Sequence, residues 1–448
     1  MNELLFFSVL FGFGIIYILL AIIPSRQIKD KKDYFLAGRN LGRLKATVTL
    51  IATQLGAGLL LGTSQQAYHL GFYALIFTVG ITLGLILLGC GIASRLRALN
   101  IVTTTEIFET KYNSPMLRRI ASFIVTITLG GILIGNIVAS KTLLLGLGIK
   151  NEIFFLTFWL FLIIYTMIGG LKAVVLTDVF QVLFIIAVFV PLFFYSIFKN
   201  PSFFDLANLK MMQQHFAQHP PSIIIMLRTL LMPALFALFE QDLAQVFFAA
   251  RTKQVATFAA FATTAFILIF GIIPIYFGIQ SQLIGISVAA NASPLIPMIA
   301  HLTNDFIVIL VAVGILAAIA STADALLCAI SGNICQDLNL SFLGLSPVVE
   351  SKTTIIASGL TILGLSYFMP PDIIKILVTS YGVPVSCLLV PLLFAYFKKE
   401  VSREAGICSV IAGVLGFVLF NLMPLPIPPE LPTLALSLIG YAVGEHIL

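Results

Sequence analysis

Ala52-Thr53-Gln54-Leu55-Gly56-Ala57-Gly58 falls in the middle of an apolar run, 45–70, that is long enough to cross a bilayer. Gly56 and Gly58 lower helix propensity at that point, and Gln54 puts a polar amide at membrane depth. A helix in lipid must satisfy its own backbone, so a break is tolerated only where protein or a water-filled cavity supplies partners. The run 222–249 has the same character: Pro233 is followed by Phe239-Glu240-Gln241-Asp242, with two carboxylates at membrane depth. Broken helices at corresponding points of two halves of a chain point to a binding site near the bilayer midplane. Two plainer readings stay open. Glycine also serves close helix packing, and the acids also fit a helix that ends early among the headgroups.

Composition agrees with a membrane-embedded chain. Of 448 residues, 59% are hydrophobic and 10% charged, whereas soluble domains carry roughly 25% charged residues. Apolar runs between charged or Pro/Gly-rich breaks predict thirteen helices, at 4–24, 45–70, 72–96, 117–147, 151–171, 173–198, 222–249, 254–280, 305–333, 352–370, 372–397, 403–424 and 431–447. Met369-Pro370-Pro371-Asp372 is read as the turn between the tenth and eleventh. The first run lacks a basic leader and a small-residue cleavage site, so it is kept as a span. The expected fold is an all-α polytopic membrane protein of about 13 transmembrane helices, one transporter domain over 1–448. The second and seventh spans each open a set of five. This divides the chain into a first helix with a basic loop (1–44), two five-helix repeats of inverted topology (45–198 and 222–397) and two peripheral helices (403–448).

Basic residues mark one side. Arg26, Lys29, Lys31, Lys32, Arg39, Arg43 and Lys45 crowd the first loop, and Arg95, Arg97, Lys111, Arg118 and Arg119 follow the third span. Arg251, Lys253, Lys398, Lys399 and Arg403 fall in later loops of the same parity. The positive-inside rule then puts the N-terminus outside and the C-terminus in the cytoplasm, in what the short loops suggest is a bacterial inner membrane. The net charge of +6 is therefore no sign of nucleic-acid binding. The five cysteines and five histidines are scattered, so no cofactor, metal cluster or enzyme chemistry is indicated.

In the ninth span, Ala317-Ala318-Ile319-Ala320-Ser321-Thr322-Ala323-Asp324 leads small residues into adjacent hydroxyls. A hard cation takes oxygen ligands, and carbonyls freed by the broken second span together with Ser321 and Thr322 offer them. Equally, such hydroxyls bond to their own helix or to a neighbour.

The stretch Tyr165 to Gln181, YTMIGGLKAVVLTDVFQ, resembles the pattern YTxxGGLxAVxxTDxxQ of the sodium:solute symporter family, which includes sodium/proline, sodium/glucose, pantothenate and choline carriers. Three weaker segments fall in order around it: Tyr34 to Arg39; Glu240-Gln241 with Gln245 and Ala249-Ala250-Arg251; and Leu316 to Asp337. The resemblance implies alternating access around a midplane site and a sodium site built from the carbonyls of Ala52, Leu55 and Ala318 and the hydroxyls of Ser321 and Thr322. It implies a role for Asp178 in the ion pathway; a carboxylate at a helix end near the cytoplasmic interface is the alternative. Glu240 stands where the family has Asp, Val246 where it often has Arg, and Asp242 is an added acid. These departures leave open a cationic substrate or a local rearrangement.

The expected activity is uptake of a small organic solute (an amino acid such as proline, or a similar metabolite) coupled to inward sodium movement. The solute is expected beside Gln54, Gly56, Gly58 and Gln65, facing Phe236, Glu240, Gln241 and Tyr381. Partners are the solute, sodium and the bilayer, in a monomer or homo-oligomer. A transporter-like sensor or structural subunit, and a proton-coupled carrier, are the alternatives. Reading the chain as ending at Leu448 disfavours a sensor with an appended signalling domain.

Overall fold

The computed structural model describes residues 3–25, 31–99, 101–204, 212, 216–218, 220–288, 292–338, 346–370 and 372–446. Within them every regular element is helical, and Leu41 and Ala250 form an isolated β-bridge. Arg26 and Lys29 of the first basic loop lie outside the described residues.

In chain order the helices are α1 (Glu3–Ser25), α2 (Lys31–Leu36), α3 (Arg43–Gln54), α4 (Thr63–Leu70), α5 (Leu75–Leu87), α6 (Ala93–Ala98), α7 (Glu106–Tyr112), α8 (Pro115–Gly146) and α9 (Glu152–Lys199). They continue with α10 (Ile223–Phe236), α11 (Gln241–Ala249), α12 (Lys253–Phe270), α13 (Ile272–Leu283), α14 (Leu295–Leu302), α15 (Asp305–Asn333), α16 (Pro347–Ser366), α17 (Ile373–Phe397), α18 (Arg403–Asn421) and α19 (Glu430–His446).

Span starts are set by local chemistry. Ser114, Asn151, Ser222, Thr252, Asn304, Asp372 and Ser402 each accept a backbone N–H from the first turn of the helix that follows. Such caps satisfy amides that a helix end leaves without partners.

Ten helices among the described residues are long and apolar enough to cross a membrane. Three details reconcile these with the thirteen expected spans. The second span divides at Leu55 and Gly56, so that the π-helical turn Gly58–Gly62 and α4 continue toward α5. The fifth and sixth spans form one 48-residue run, α9, bent where Gly170 leaves helical geometry (φ 52°, ψ −159°). At 1.5 Å per residue that run is about 72 Å long, more than twice the hydrocarbon thickness. The last helix, α19, has 17 residues. The eighth span is likewise jointed, between α12 and α13 at Gly271. Three short helices, α2, α7 and α14, occupy stretches read from the sequence as loop, because six to eight residues carry no span-length signal.

α15 is the axis of the fold. In its most apolar stretch 83% of residues are buried, against 22% for α1, 28% for α16 and 33% for α18, which face outward. It packs on α8 and α9 and meets α3 at the break in the second span.

The loops form two tied ends. At the basic end Arg39 donates to the Ile101 carbonyl (2.8 Å), Leu41 exchanges backbone bonds with Ala249 and Arg251, and Lys172 pairs with Asp33 (2.9 Å). At the other end Ser64 contacts Ser293 (2.6 Å), Tyr68 donates to the Ile286 carbonyl (2.8 Å) and Arg228 pairs with Glu430 (2.6 Å).

Candidate functional site

The break in α3 opens the site. Leu55 N bonds to Ile51 O at 2.9 Å, closing the last regular turn, and the chain then bends at Gly56. On the far side Ala57 N donates to Asn136 Oδ1 of α8 (3.3 Å), so a side chain replaces a helical carbonyl. A buried amide without such a partner would cost about 1–3 kcal/mol. Asn136 was not anticipated, although it is the one amide side chain in its apolar run and such residues bond across helices.

α15 supplies the other wall. Thr322 Oγ1 donates to Thr53 O (3.1 Å) and lies 3.2 Å from Ala318 O. The hydroxyl thereby draws together a carbonyl from the broken second span and one from the ninth. Thr53 is the residue whose carbonyl meets Thr322, one position after Ala52 and two before Leu55; all three are buried. Ser321 Oγ donates to Asp178 Oδ1 (2.7 Å). Asp178 is 1% exposed and its Oδ2 has no partner. The helix-end alternative for Asp178 fails, because it lies about two turns beyond the bend at Gly170 and is buried against α15. Every one of these groups is an oxygen donor, the chemistry that suits a hard monovalent cation.

A second carboxylate, Asp324, accepts from Thr166 Oγ1 (2.5 Å) and from the Tyr165 hydroxyl, which also contacts Thr177. The motif residues Tyr165 and Thr166 thus fasten α9 to α15, with Thr177 bonded to Tyr165 across the bend within α9, and Asp324, which lies in the S-T-x-D segment, was missed as their partner.

Beside this cluster lies a cavity of ≈ 30 Å³ lined by Thr53, Gln54, Gly56, Gly58, Asn136, Glu240, Asp242, Thr322 and Tyr381 among others. A smaller one of ≈ 10 Å³ adjoins it, bounded by Gln54, Pro233, Phe236, Glu240 and Tyr381. The Phe236 and Tyr381 rings stack at 4.8 Å. The seventh span does end early, at Phe236, and resumes at Gln241. Its acids are nonetheless buried (Glu240 8% and Asp242 3% exposed) and face the cavity, so their placement among headgroups is excluded.

Two expected solute contacts lie elsewhere. Gln241 turns to the basic end, where its Oε1 accepts from Thr104 N (2.7 Å) and its Nε2 donates to the Val102 carbonyl (3.2 Å). Its spacing beside Glu240 gave no hint of direction, since neighbours at a helix start point apart. Gln65, on α4, is buried but lines neither cavity.

Two discontinuous helices meeting at a polar pocket are the arrangement expected of membrane carriers of the inverted-repeat kind. The sequence profile of the Sodium:solute symporter family matches residues 34–413, and the chain belongs to that family. The family match and the ten span-length apolar helices make it an integral membrane protein. It is 28% identical over 159 residues to the sodium/glucose cotransporter of Vibrio parahaemolyticus (35% of this chain, 29% of that protein). It is 29% identical over 154 residues to the sodium/pantothenate symporter of Escherichia coli strain K12 (33% and 32%), and 25% over 188 residues to the sodium/proline symporter of Staphylococcus aureus (40% and 37%). The matched segments span about a third of the length of these relatives. In structure the chain resembles a sodium-coupled sialic acid symporter in a substrate-bound, outward-open state, with TM-score 0.77 and 17% identity over 99% of this chain and 96% of the other. A nucleobase-cation-symport-1 family transporter in a closed conformation gives 0.60 and 14%, over 92% and 93%. At these identities the likeness is one of fold.

Proposed function

We propose that this chain moves a small organic solute into the cell together with sodium, by alternating access. The observation that carries this is Thr322 Oγ1 held between Thr53 O and Ala318 O, where the broken second span meets the ninth. The oxygens of Ala52, Leu55, Ala318, Ser321 and Thr322 form the sodium site, and Asp178, bonded to Ser321, lies on the ion's route. The solute occupies the cavity beside Gln54, Gly56, Gly58, Phe236, Glu240 and Tyr381. At ≈ 30 Å³ that space admits little more than water, so binding has to part Phe236 from Tyr381. The spans at 45–198 and 222–397 act as the two repeats. The protein resides in a bacterial inner membrane with the basic end in the cytoplasm and the N-terminus outside.

Coupling requires that sodium bind more tightly to the solute-loaded, outward state, because a ligand shifts an equilibrium only through differential affinity. Holding the second span against the ninth provides that difference. The test is uptake into proteoliposomes with and without an inward sodium gradient. Ser321→Ala combined with Thr322→Ala removes two oxygen ligands at about 1 kcal/mol each, raising the half-saturating sodium concentration by roughly thirtyfold. Unchanged sodium dependence would remove both hydroxyls from the site. Equal uptake with potassium in place of sodium would overturn sodium coupling and, if a proton gradient sustains it, make the chain a proton-coupled carrier.

A further inference from the structure

We infer that the solute is a small organic cation, such as a primary or quaternary amine; this rests on the cavity beside Glu240 being the solute site. Glu240 and Asp242 are two residues apart at the start of α11, both buried, and both line the same cavity. Among the described residues that line this cavity and the adjoining one, none is Lys, Arg or His. The nearest charge of opposite sign in the seventh span, Arg228, is committed to Glu430. Val246, buried further along α11, brings none.

Part of the negative charge is answered locally. A helix N-terminus presents roughly half a positive charge, and α11 begins at Gln241. Half a charge does not balance two carboxylates, and because an uncompensated ion is costly in this region the pair calls for further positive charge, from a proton or from a cationic guest. Asp242 Oδ1 is buried and has no hydrogen-bond partner. It is an acceptor without a donor on a residue that lines the cavity. A primary ammonium supplies both the missing donor and the missing charge and a quaternary one the charge alone, whereas a carboxylate on the solute adds to the repulsion.

The rest of the wall suits the same guest. Phe77, Phe236 and Tyr381 bound the two cavities, and the last two are stacked face to face. Aromatic faces attract organic cations through their quadrupole, the more so where water is excluded. Gln54 offers an amide that orients the guest without contributing charge.

The experiment uses the full chain in two formats. Sodium-driven uptake into proteoliposomes is measured for choline, ethanolamine and agmatine as cations, with proline, glucose and pantothenate as zwitterionic, neutral and anionic probes. Thermal unfolding of the purified protein in saturating sodium is followed with the same compounds. The expected result is cation-specific uptake and stabilisation, with the half-maximal concentration raised about tenfold in Glu240→Gln and in Asp242→Asn, as for loss of one charge-assisted hydrogen bond. Neither substitution removes a group proposed for the sodium site, so once the cation is saturating the half-saturating sodium concentration returns to the wild-type value. Sodium-driven uptake of proline, glucose or pantothenate with no cation transported or bound overturns the inference and leaves symport standing. If no probe responds to the sodium gradient, it is symport that fails. Cation stabilisation lost in both variants still upholds the inference, and its absence in the wild type overturns it.

Discussion

A Cβ built on Gly56 would lie 2.5 Å from Thr322 Oγ1 and 3.2 Å from that residue's Cβ and Cγ2. The obstruction is at the contact where the second and ninth spans meet, and a branched side chain at helix depth has little room to retreat. At Gly58 the corresponding neighbour is Leu377 Cδ1 at 2.6 Å, the free end of a flexible chain. Gly56→Ala therefore pushes the carbonyl of Thr53 away from Thr322, while Gly58→Ala is absorbed by a rotamer change. The expected outcome is a rise of about tenfold or more in half-saturating sodium for Gly56→Ala, from a loss of about 1.4 kcal/mol, and a smaller change for Gly58→Ala. Sodium titrations of uptake decide it, and a larger effect at Gly58 would sink the assignment. Ser321 and Thr322 stood out in the sequence because polar groups among small or apolar residues have few places to go in lipid, and Asp178 stood out through the family motif. Thr53 and Asn136 were not. A broken helix frees a carbonyl at a residue that propensity does not specify, and the partner of Asn136 is 79 positions earlier in the chain.

Elements were easier to read than their joints. Apolar run length gave the spans, and Asp372, the last residue of the turn read at Met369 to Asp372, caps α17. The bend in α9 is different in kind. Gly169 and Gly170 look alike in sequence, yet Gly170 alone adopts a positive φ, with ψ −159°, a region almost closed to other residues. Its α-carbon faces Tyr34, whose carbonyl would lie 2.7 Å from an added Cβ. Gly170→Ala thus meets both backbone strain and a clash with the chain leading into the second span. The loss expected is about 1–3 kcal/mol, visible as a lower unfolding temperature and less protein in the membrane. Gly130→Ala in α8 is the control, since its added Cβ would have Ile362 at a comfortable 3.6 Å. Helix propensity there favours alanine by up to about 1 kcal/mol. Equal stability of the two variants would mean that the bend is not held by glycine geometry.

For the whole molecule, the proposed alternating access means that one tied end must release while the other holds. At the basic end Asp337 accepts from Thr103 and Thr105 and pairs with Arg118 (2.7 Å), which also holds Glu109 (2.6 Å). This fastens the chain after the third span to the foot of α15. At the opposite end Glu430, fully buried at the start of α19, pairs with Arg228 of the broken seventh span. Neither tie was legible, because each joins residues more than 200 positions apart and each charge alone reads as a loop residue. Weakening them should move the conformational equilibrium in opposite directions. On the proposed orientation Glu430→Gln loosens the outer end and favours the outward state, lowering the half-saturating external sodium. Asp337→Asn loosens the cytoplasmic end and raises it. Each shift is bounded at about tenfold for 1.4 kcal/mol of bias. Both proteins should still fold, since Arg118 keeps Glu109 and the Arg228 side chain is 29% exposed. Sodium titrations on oriented vesicles read both signs at once. Opposite shifts in the reverse sense would invert the orientation. Shifts in the same sense would mean that the two clusters stabilise the fold without gating it.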